Sequence, residues 1–85
     1  MRISSNSSDP GYLQYLVCEK TGRWPLIFLD GVKVMDVLTA DSDKGFLIRA
    51  VTDDVGNVVL DETGEVIKRE TLTGRIEYRW PPDPA

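Results

Sequence analysis

The apolar positions near the start of the chain recur at intervals of three and four residues, which is typical of one face of a short helix. They are Tyr12, Leu13, Leu16 and Val17, and Lys20 continues the same spacing. Ser8-Asp9-Pro10 precedes them and favours a helix start, because a capping side chain is followed by proline. Gly22 follows at the usual place of a left-handed C-terminal cap. The pattern therefore predicts a helix over residues 10–21.

From residue 26 onward the apolar pattern changes to that of β-strands separated by turns that contain Gly and Asp. Asp30-Gly31 joins two such strands, at 26–29 and 32–34, and predicts a two-residue hairpin because both residues tolerate positive φ angles. The second strand is predicted to continue through Val37 and Leu38. Further strands are predicted at 46–51, 58–60, 65–72 and 75–80.

Short strands joined in succession by such turns predict a mainly β fold of the α+β class. We expect the N-terminal helix to pack on an antiparallel β-meander of five or six strands. The meander is expected to curl into a small open barrel, because a flat sheet would expose its edges. The predicted organisation is a flexible, serine-rich tail over 1–9, a single domain over 10–80 and a proline-rich tail over 81–85.

The length and composition of the chain limit what it can do. Its 85 residues allow one domain at most, and a chain of this size buries only about 60% of its unfolded surface. A large internal ligand cavity is therefore not expected, and no cofactor is expected either. The net charge of −4 argues against broad affinity for nucleic acid, which requires a positive field.

The chain has no histidine, and Cys18 is its single cysteine. A disulfide within the chain and a cysteine-based zinc site are thus excluded, and no metal is expected. Asp41-Ser42-Asp43-Lys44-Gly45 has the alternating oxygens of a calcium loop but departs from it at the third ligand, so a solvated hairpin turn explains it better. No apolar run reaches the roughly 18 residues of a membrane span, and a lone thiol fits a reducing compartment. We therefore expect a cytoplasmic protein that does not enter the membrane.

Catalysis is not expected from the residues present. The carboxylates of the turns lie where Asp is favoured for turn geometry, and no histidine is available to activate Cys18. These carboxylates are Asp53, Asp54, Asp61 and Glu62. A small enzyme would need two of them held together in a cleft.

Basic residues gather towards the C-terminus with aromatic residues between them. They are Lys68, Arg69, Arg75 and Arg79, interleaved with Tyr78 and Trp80. Neighbouring strands of this composition can bind single-stranded nucleic acid, which is one candidate function. The strict alternation instead predicts that the aromatic side chains face the core and the arginines face solvent, with Glu70 and Glu77 paired across strands.

Both tryptophans, Trp24 and Trp80, lie next to prolines at the boundaries of predicted elements. Large aromatic residues at such places often close the end of a small core. If exposed, either one is instead a good anchor for a protein partner.

Three stretches resemble small uncharacterised proteins of tailed phages and their prophages. They are Phe28-Leu29-Asp30-Gly31-Val32, then Ala40-Asp41 through Gly45-Phe46 to Asp54-Val55-Gly56-Asn57, and finally Gly74-Arg75-Ile76-Glu77. The resemblance implies a phage-related setting and brings with it no activity and no catalytic residues.

The sequence therefore predicts a non-enzymatic protein-binding or assembly module. Exposed strand edges also favour self-association, because their unpaired backbone groups invite pairing. The alternative is a nucleic-acid-binding small β-barrel that uses the C-terminal basic strands.

Overall fold

Two antiparallel sheets and one helix make up residues 1–81, the part of the chain that a computed structural model describes. The elements are β1 (Arg2–Ser4), α1 (Tyr12–Thr21), β2 (Leu26–Leu29), β3 (Val32–Lys33), β4 (Val37–Asp41), β5 (Phe46–Ala50), β6 (Arg69–Thr73) and β7 (Ile76–Arg79). The four-stranded sheet has the order β1-β4-β5-β6, and the three-stranded sheet has the order β3-β2-β7. The mainly β architecture with one short helix is confirmed.

The predicted barrel is not formed, because the strands within residues 1–81 are divided between two separate sheets instead of one curled meander. The strand predicted to run from 32 to 38 is broken at Asp36, whose φ angle of 59° lies outside the β region. The chain crosses there from β3 to β4, which belong to different sheets. It crosses back at Gly74, so that β7 pairs with β2 and the predicted meander is limited to β4, β5 and β6.

The predicted hairpin turn at Asp30-Gly31 is confirmed. The φ angles of the two residues are 48° and 83°, and the flanking Leu29 and Val32 are partners across the β2–β3 pair. The carboxylate of Asp30 also accepts a hydrogen bond from the backbone N–H of Arg75, at 2.9 Å. This turn therefore tethers the start of β7.

The flexible tail predicted for residues 1–9 is wrong for Arg2–Ser4, which form β1 at the edge of the four-stranded sheet. Ile3 and Ser4 are buried. Asp9 receives two hydrogen bonds from the guanidinium of Arg2, at 2.7 and 2.8 Å. The serine-rich composition concealed this strand because Ile3 alone carries its apolar face into the core.

The predicted helix is confirmed, although it begins at Tyr12 and its expected apolar stripe faces solvent. Leu13 and Val17 are 75% and 52% exposed, while Cys18 is the buried residue of α1. The helix packs against β1 through its other face, next to Gly11, where an added Cβ would lie 3.0 Å from the backbone of β1. Gly22 ends the helix with a φ angle of 70°, as predicted.

The hydrophobic core is small and lies between the helix and the two sheets. Its buried members are Ile3, Cys18, Ala40, Leu47 and Ile76.

The helix α1 has ten residues and is much shorter than a membrane span. No helix within residues 1–81 is long and apolar enough to cross a membrane.

Residues 51–68, here called the arm, continue the β5–β6 hairpin beyond the sheet. The strand predicted at 58–60 and the first part of that predicted at 65–72 are reduced to two isolated bridges, Thr52 with Val58 and Leu60 with Ile67. No residue of the arm is buried, so its strands lack the side-chain packing that stabilises a regular sheet.

Candidate functional site

An apolar groove of about 270 Å³ opens where the chain crosses from one sheet to the other. Its lining includes Ile27 of the three-stranded sheet and Val34 directly after β3, together with Ile3 and Val37 of the four-stranded sheet. These side chains are all buried or half-buried. The groove is thus bordered by residues of both sheets and by the segment that joins them.

Trp24 forms one wall of the groove and is 42% exposed. Its ring packs against the ring of Tyr15 in a T-shaped arrangement, with the ring centres 5.1 Å apart at an interplanar angle of 64°. Tyr15 in turn stacks on Tyr12, at 5.6 Å. Because these helix residues hold the indole in place, little conformational freedom is lost when a ligand covers it.

Met35 lies at the rim of the groove and is 62% exposed. Backbone hydrogen bonds fix both of its neighbours: Val34 N–H donates to Ile27 O at 2.9 Å, and Ala50 N–H donates to Asp36 O at 3.0 Å. The segment 34–36 is thus tied to both sheets, while the flexible thioether side chain of Met35 is exposed. Such side chains adapt readily to the shape of a ligand.

The polar groups at the rim give the groove no strong charge. Lys33 and Asp36 carry opposite charges, and the remaining lining is mostly apolar. The volume is close to the lower end of the range of about 300–1,000 Å³ that is usual for small-molecule sites. The arrangement suits one or two apolar side chains better than a charged cofactor.

The two predicted anchor residues have different surroundings. Trp80 is 44% exposed, almost the same as Trp24, but does not line the groove. Neither indole is buried, so neither of them closes the core. Only Trp24 combines exposure with an adjacent apolar groove.

The predicted basic residues are divided between two places. Arg75 directly precedes β7 and Arg79 ends it, and Glu77 between them forms ion pairs with both, at 3.3 and 4.0 Å. The guanidinium of Arg79 also covers the ring of Phe28, at 4.1 Å from its centre. Lys68 and Arg69 are on the other sheet, at the junction of the arm and β6.

The alternation predicted for the last strand is confirmed at Ile76, which is buried, and at Tyr78, which is partly buried and packs against the core. Glu70 pairs with Arg49 of the neighbouring strand, as predicted. The cross-strand pairing predicted for Glu77 is wrong. Phe28 is opposite it on β2, so its ion pairs run along its own strand.

The ionised groups nearest the core are satisfied by partners within the fold. Arg2 bonds Asp9 and Asp41, and its hydrogen bonds to Asp9 are the main reason why the pKa of that carboxyl falls to about 2. Backbone N–H donation from Lys44, with further help from Arg2, lowers the pKa of Asp41. Burial raises the pKa of Tyr78 to about 12. The shifted pKa values of Asp9, Asp41 and Tyr78 are therefore explained by hydrogen bonds and burial within the fold.

The turn carboxylates behave as turn residues. Asp41 accepts the backbone N–H groups of Asp43 and Lys44, both at 2.9 Å, as expected for the predicted hairpin turn. In the arm, Asp53 accepts the N–H groups of Val55 and Asn57 in the same way.

Sequence reasoning missed the crossover from Val34 to Leu38, which supplies one side of the groove. The available signal was Asp36, because aspartate is depleted in strands and tolerates positive φ.

No protein-family model matches the chain, and comparisons with curated proteins and with solved structures gave no match.

Proposed function

We propose that this protein is a protein-binding module that holds an apolar side chain of its partner in the groove beside Trp24. The observation that carries the proposal is the exposure of Trp24 and Met35 at the rim of an apolar groove of about 270 Å³. Aromatic residues next to such clefts are the usual energetic centres of protein interfaces. Burying one leucine-sized side chain there would contribute about 1.5–3 kcal/mol.

The position of β3 favours an extended partner segment. It is the edge strand of the three-stranded sheet, and Lys33 and Val34 border the groove. A segment that pairs with this edge points every second side chain to one face. Backbone pairing would then supply orientation, and the groove would select the apolar side chain.

A peptide-display selection on the wild-type protein tests the proposal, followed by affinity measurements with the enriched peptide. Trp24→Ala should weaken binding about tenfold or more, because it removes an anchor at the centre of the contact. Trp80→Ala is the matched control, since its side chain is equally exposed but lies outside the groove. Its affinity should stay within about twofold of wild type.

Tryptophan fluorescence locates the bound peptide without relying on a loss of affinity. The chain has two tryptophans, so Trp80→Phe leaves Trp24 as the sole reporter. Its emission should shift to shorter wavelength when the peptide covers the indole. Failure to enrich any peptide, or an enriched peptide that binds Trp24→Ala as tightly as wild type, would overturn the proposal.

Nucleic-acid binding through the C-terminal basic strands remains the alternative, with less support because Glu77 pairs with both Arg75 and Arg79. It requires affinity for a single-stranded oligonucleotide that falls steeply with salt. Replacing both arginines with glutamine should abolish that binding, and an unchanged affinity would exclude this use of β7. The phage setting and the cytoplasmic location likewise stay predictions.

A further inference from the structure

The arm exposes aliphatic side chains that the small core does not cover. Five large hydrophobic side chains of the arm are between 41% and 79% exposed: Val55, Val58, Leu60, Val66 and Ile67. Within 51–68, all of which the structure describes, no residue is buried. A concentration of exposed aliphatic residues on one segment is typical of an interaction surface.

The arm nevertheless has a defined backbone. Val51 N–H donates to Lys68 O at 2.9 Å, Lys68 N–H donates to Val59 O at 2.8 Å, and Val59 N–H donates to Val51 O at 2.9 Å. Asp61 N–H donates to Val66 O at 2.8 Å. These bonds connect the two sides of the segment to each other, and none of its residues belongs to the core. The radius of gyration, 13.6 Å, exceeds the value of about 12 Å expected for a compact domain of this length.

The net charge of the protein resides in this segment. The arm has five acidic residues, Asp53, Asp54, Asp61, Glu62 and Glu65, and one basic residue, Lys68, which gives it a charge of −4. Outside it, nine acidic and nine basic residues balance. The exposed aliphatic side chains are therefore surrounded by a negative field that the rest of the chain does not share.

This combination selects among possible occupants. Two arms that met in a symmetric dimer would place like charges against each other, which is unfavourable. Nucleic acids and anionic membrane surfaces carry the same sign of charge as the arm and are repelled. A protein segment with both aliphatic and basic side chains matches the arm in both respects.

We propose that the arm is a second docking surface, which binds a basic segment of a protein partner that also carries aliphatic side chains. The inference rests on the proposed function, since it assumes that the protein binds other proteins, but it uses a surface separate from the groove. The aliphatic side chains supply affinity by burial. The acidic side chains supply steering and the preference for a basic partner.

The test uses two fluorescent peptides, one with alternating lysine and valine and one with alternating glutamate and valine. Anisotropy titrations of the full-length protein should show that the lysine peptide binds at least tenfold more tightly. Raising the salt concentration should weaken that binding because exposed charges are screened. Equal affinity for the two peptides would overturn the inference.

Paired variants separate the two contributions. The double variant Val58→Ser, Leu60→Ser should weaken the lysine peptide about tenfold, and so should Glu62→Gln, Glu65→Gln. The matched controls are Leu13→Ser, Val17→Ser on the exposed helix face and Glu19→Gln, Asp43→Asn outside the arm, which should stay within twofold. Circular dichroism verifies that each variant retains the fold, and equal binding by arm and control variants would contradict the inference.

Two further measurements distinguish this inference from its competitors. Trp24→Ala should leave the affinity for the lysine peptide unchanged. The proposal for the arm and the proposal for the groove can therefore be refuted independently of each other. Light scattering on the wild-type protein should show a monomer. A dimer that Val58→Ser, Leu60→Ser converts to a monomer would mean that a second copy covers the arm and would refute the proposal.

Discussion

A close backbone contact at Gly45 provides a sharp test of how the two sheets are joined. Gly45 has a φ angle of 69°, and a Cβ added there would lie 2.9 Å from the carbonyl oxygen of Gly74. The two glycines are also bonded, since Gly74 N–H donates to Gly45 O at 2.9 Å. Gly74 is where the chain leaves β6 for β7, so neither backbone can retreat without disturbing the crossover.

The expected decrease in the free energy of unfolding for Gly45→Ala has two parts. Alanine in the left-handed region costs about 1–2 kcal/mol. The contact with a backbone oxygen adds about 1–3 kcal/mol, the usual range for overpacking. Gly22→Ala isolates the first part, because Gly22 has a φ angle of 70° and an added Cβ would meet nothing within 4 Å.

Guanidinium unfolding followed by far-ultraviolet circular dichroism measures the difference. The free energy of unfolding of Gly45→Ala should lie about 1–3 kcal/mol below that of Gly22→Ala. For a domain of this size, each kcal/mol corresponds to about 4–8 °C in Tm. Equal losses in the two variants would refute the close approach of Gly45 to Gly74.

Three further predictions concern the core and two perturbed ionisable groups. Leu47→Ala should cost about 2–5 kcal/mol in urea unfolding because Leu47 is fully buried, whereas Leu13→Ala should change stability by less than about 0.5 kcal/mol. Arg2 lowers the folded-state pKa of Asp9 to about 2. The stabilisation that the ionised Asp9 provides is therefore present above the usual carboxyl pKa and is lost as the pH falls towards about 2. A plot of Tm against pH should show this loss in wild type and a flatter acid limb in Asp9→Asn. Burial raises the pKa of Tyr78 to about 12, so the stability that depends on its neutral form is present below the usual tyrosine pKa and is lost as the pH rises towards about 12. In an ultraviolet absorbance titration, one of the three tyrosines should ionise at a higher pH than is usual for tyrosine, and Tyr78→Phe should abolish that step.

The parts of the fold that local chemistry determines were predictable from the sequence. Asp30-Gly31 fits a turn that needs two positive φ angles, and Gly22 fits a left-handed helix cap, so both were identified correctly. The alternation around Ile76 likewise gave the correct buried face of β7. In each case the residues that fix the conformation are neighbours along the chain.

The failures involve choices between distant partners. Leu13 and Val17 have helical spacing, yet the helix turns them to solvent because its other face meets β1, a strand that the serine-rich sequence concealed. Separation of the sheets depends on Asp36, where a single positive φ angle sends the chain across the molecule. Spacing alone cannot show where such a crossover leads, so the groove could not be located although Trp24 was identified as a candidate anchor.

The two proposed surfaces should respond differently to their ligands, because they have different relations to the core. The groove is lined by both sheets, so opening either sheet would break a ligand's contacts there. A ligand in the groove should therefore slow amide hydrogen exchange by local opening in both sheets. The arm contains no buried residue, and its own opening is expected to need the least free energy.

A ligand on the arm should consequently protect amides within 51–68 and leave locally opening amides of β2 and β4 almost unchanged. Hydrogen exchange measured residue by residue, first with the display-selected peptide and then with the lysine peptide, compares the two patterns. At a ligand concentration of one hundred times Kd, the protected amides should gain about 2.7 kcal/mol, a factor of about 100 in exchange rate. Identical protection patterns would mean that the groove and the arm are one surface, because only a ligand that bridges both could slow exchange in the sheets and the arm together.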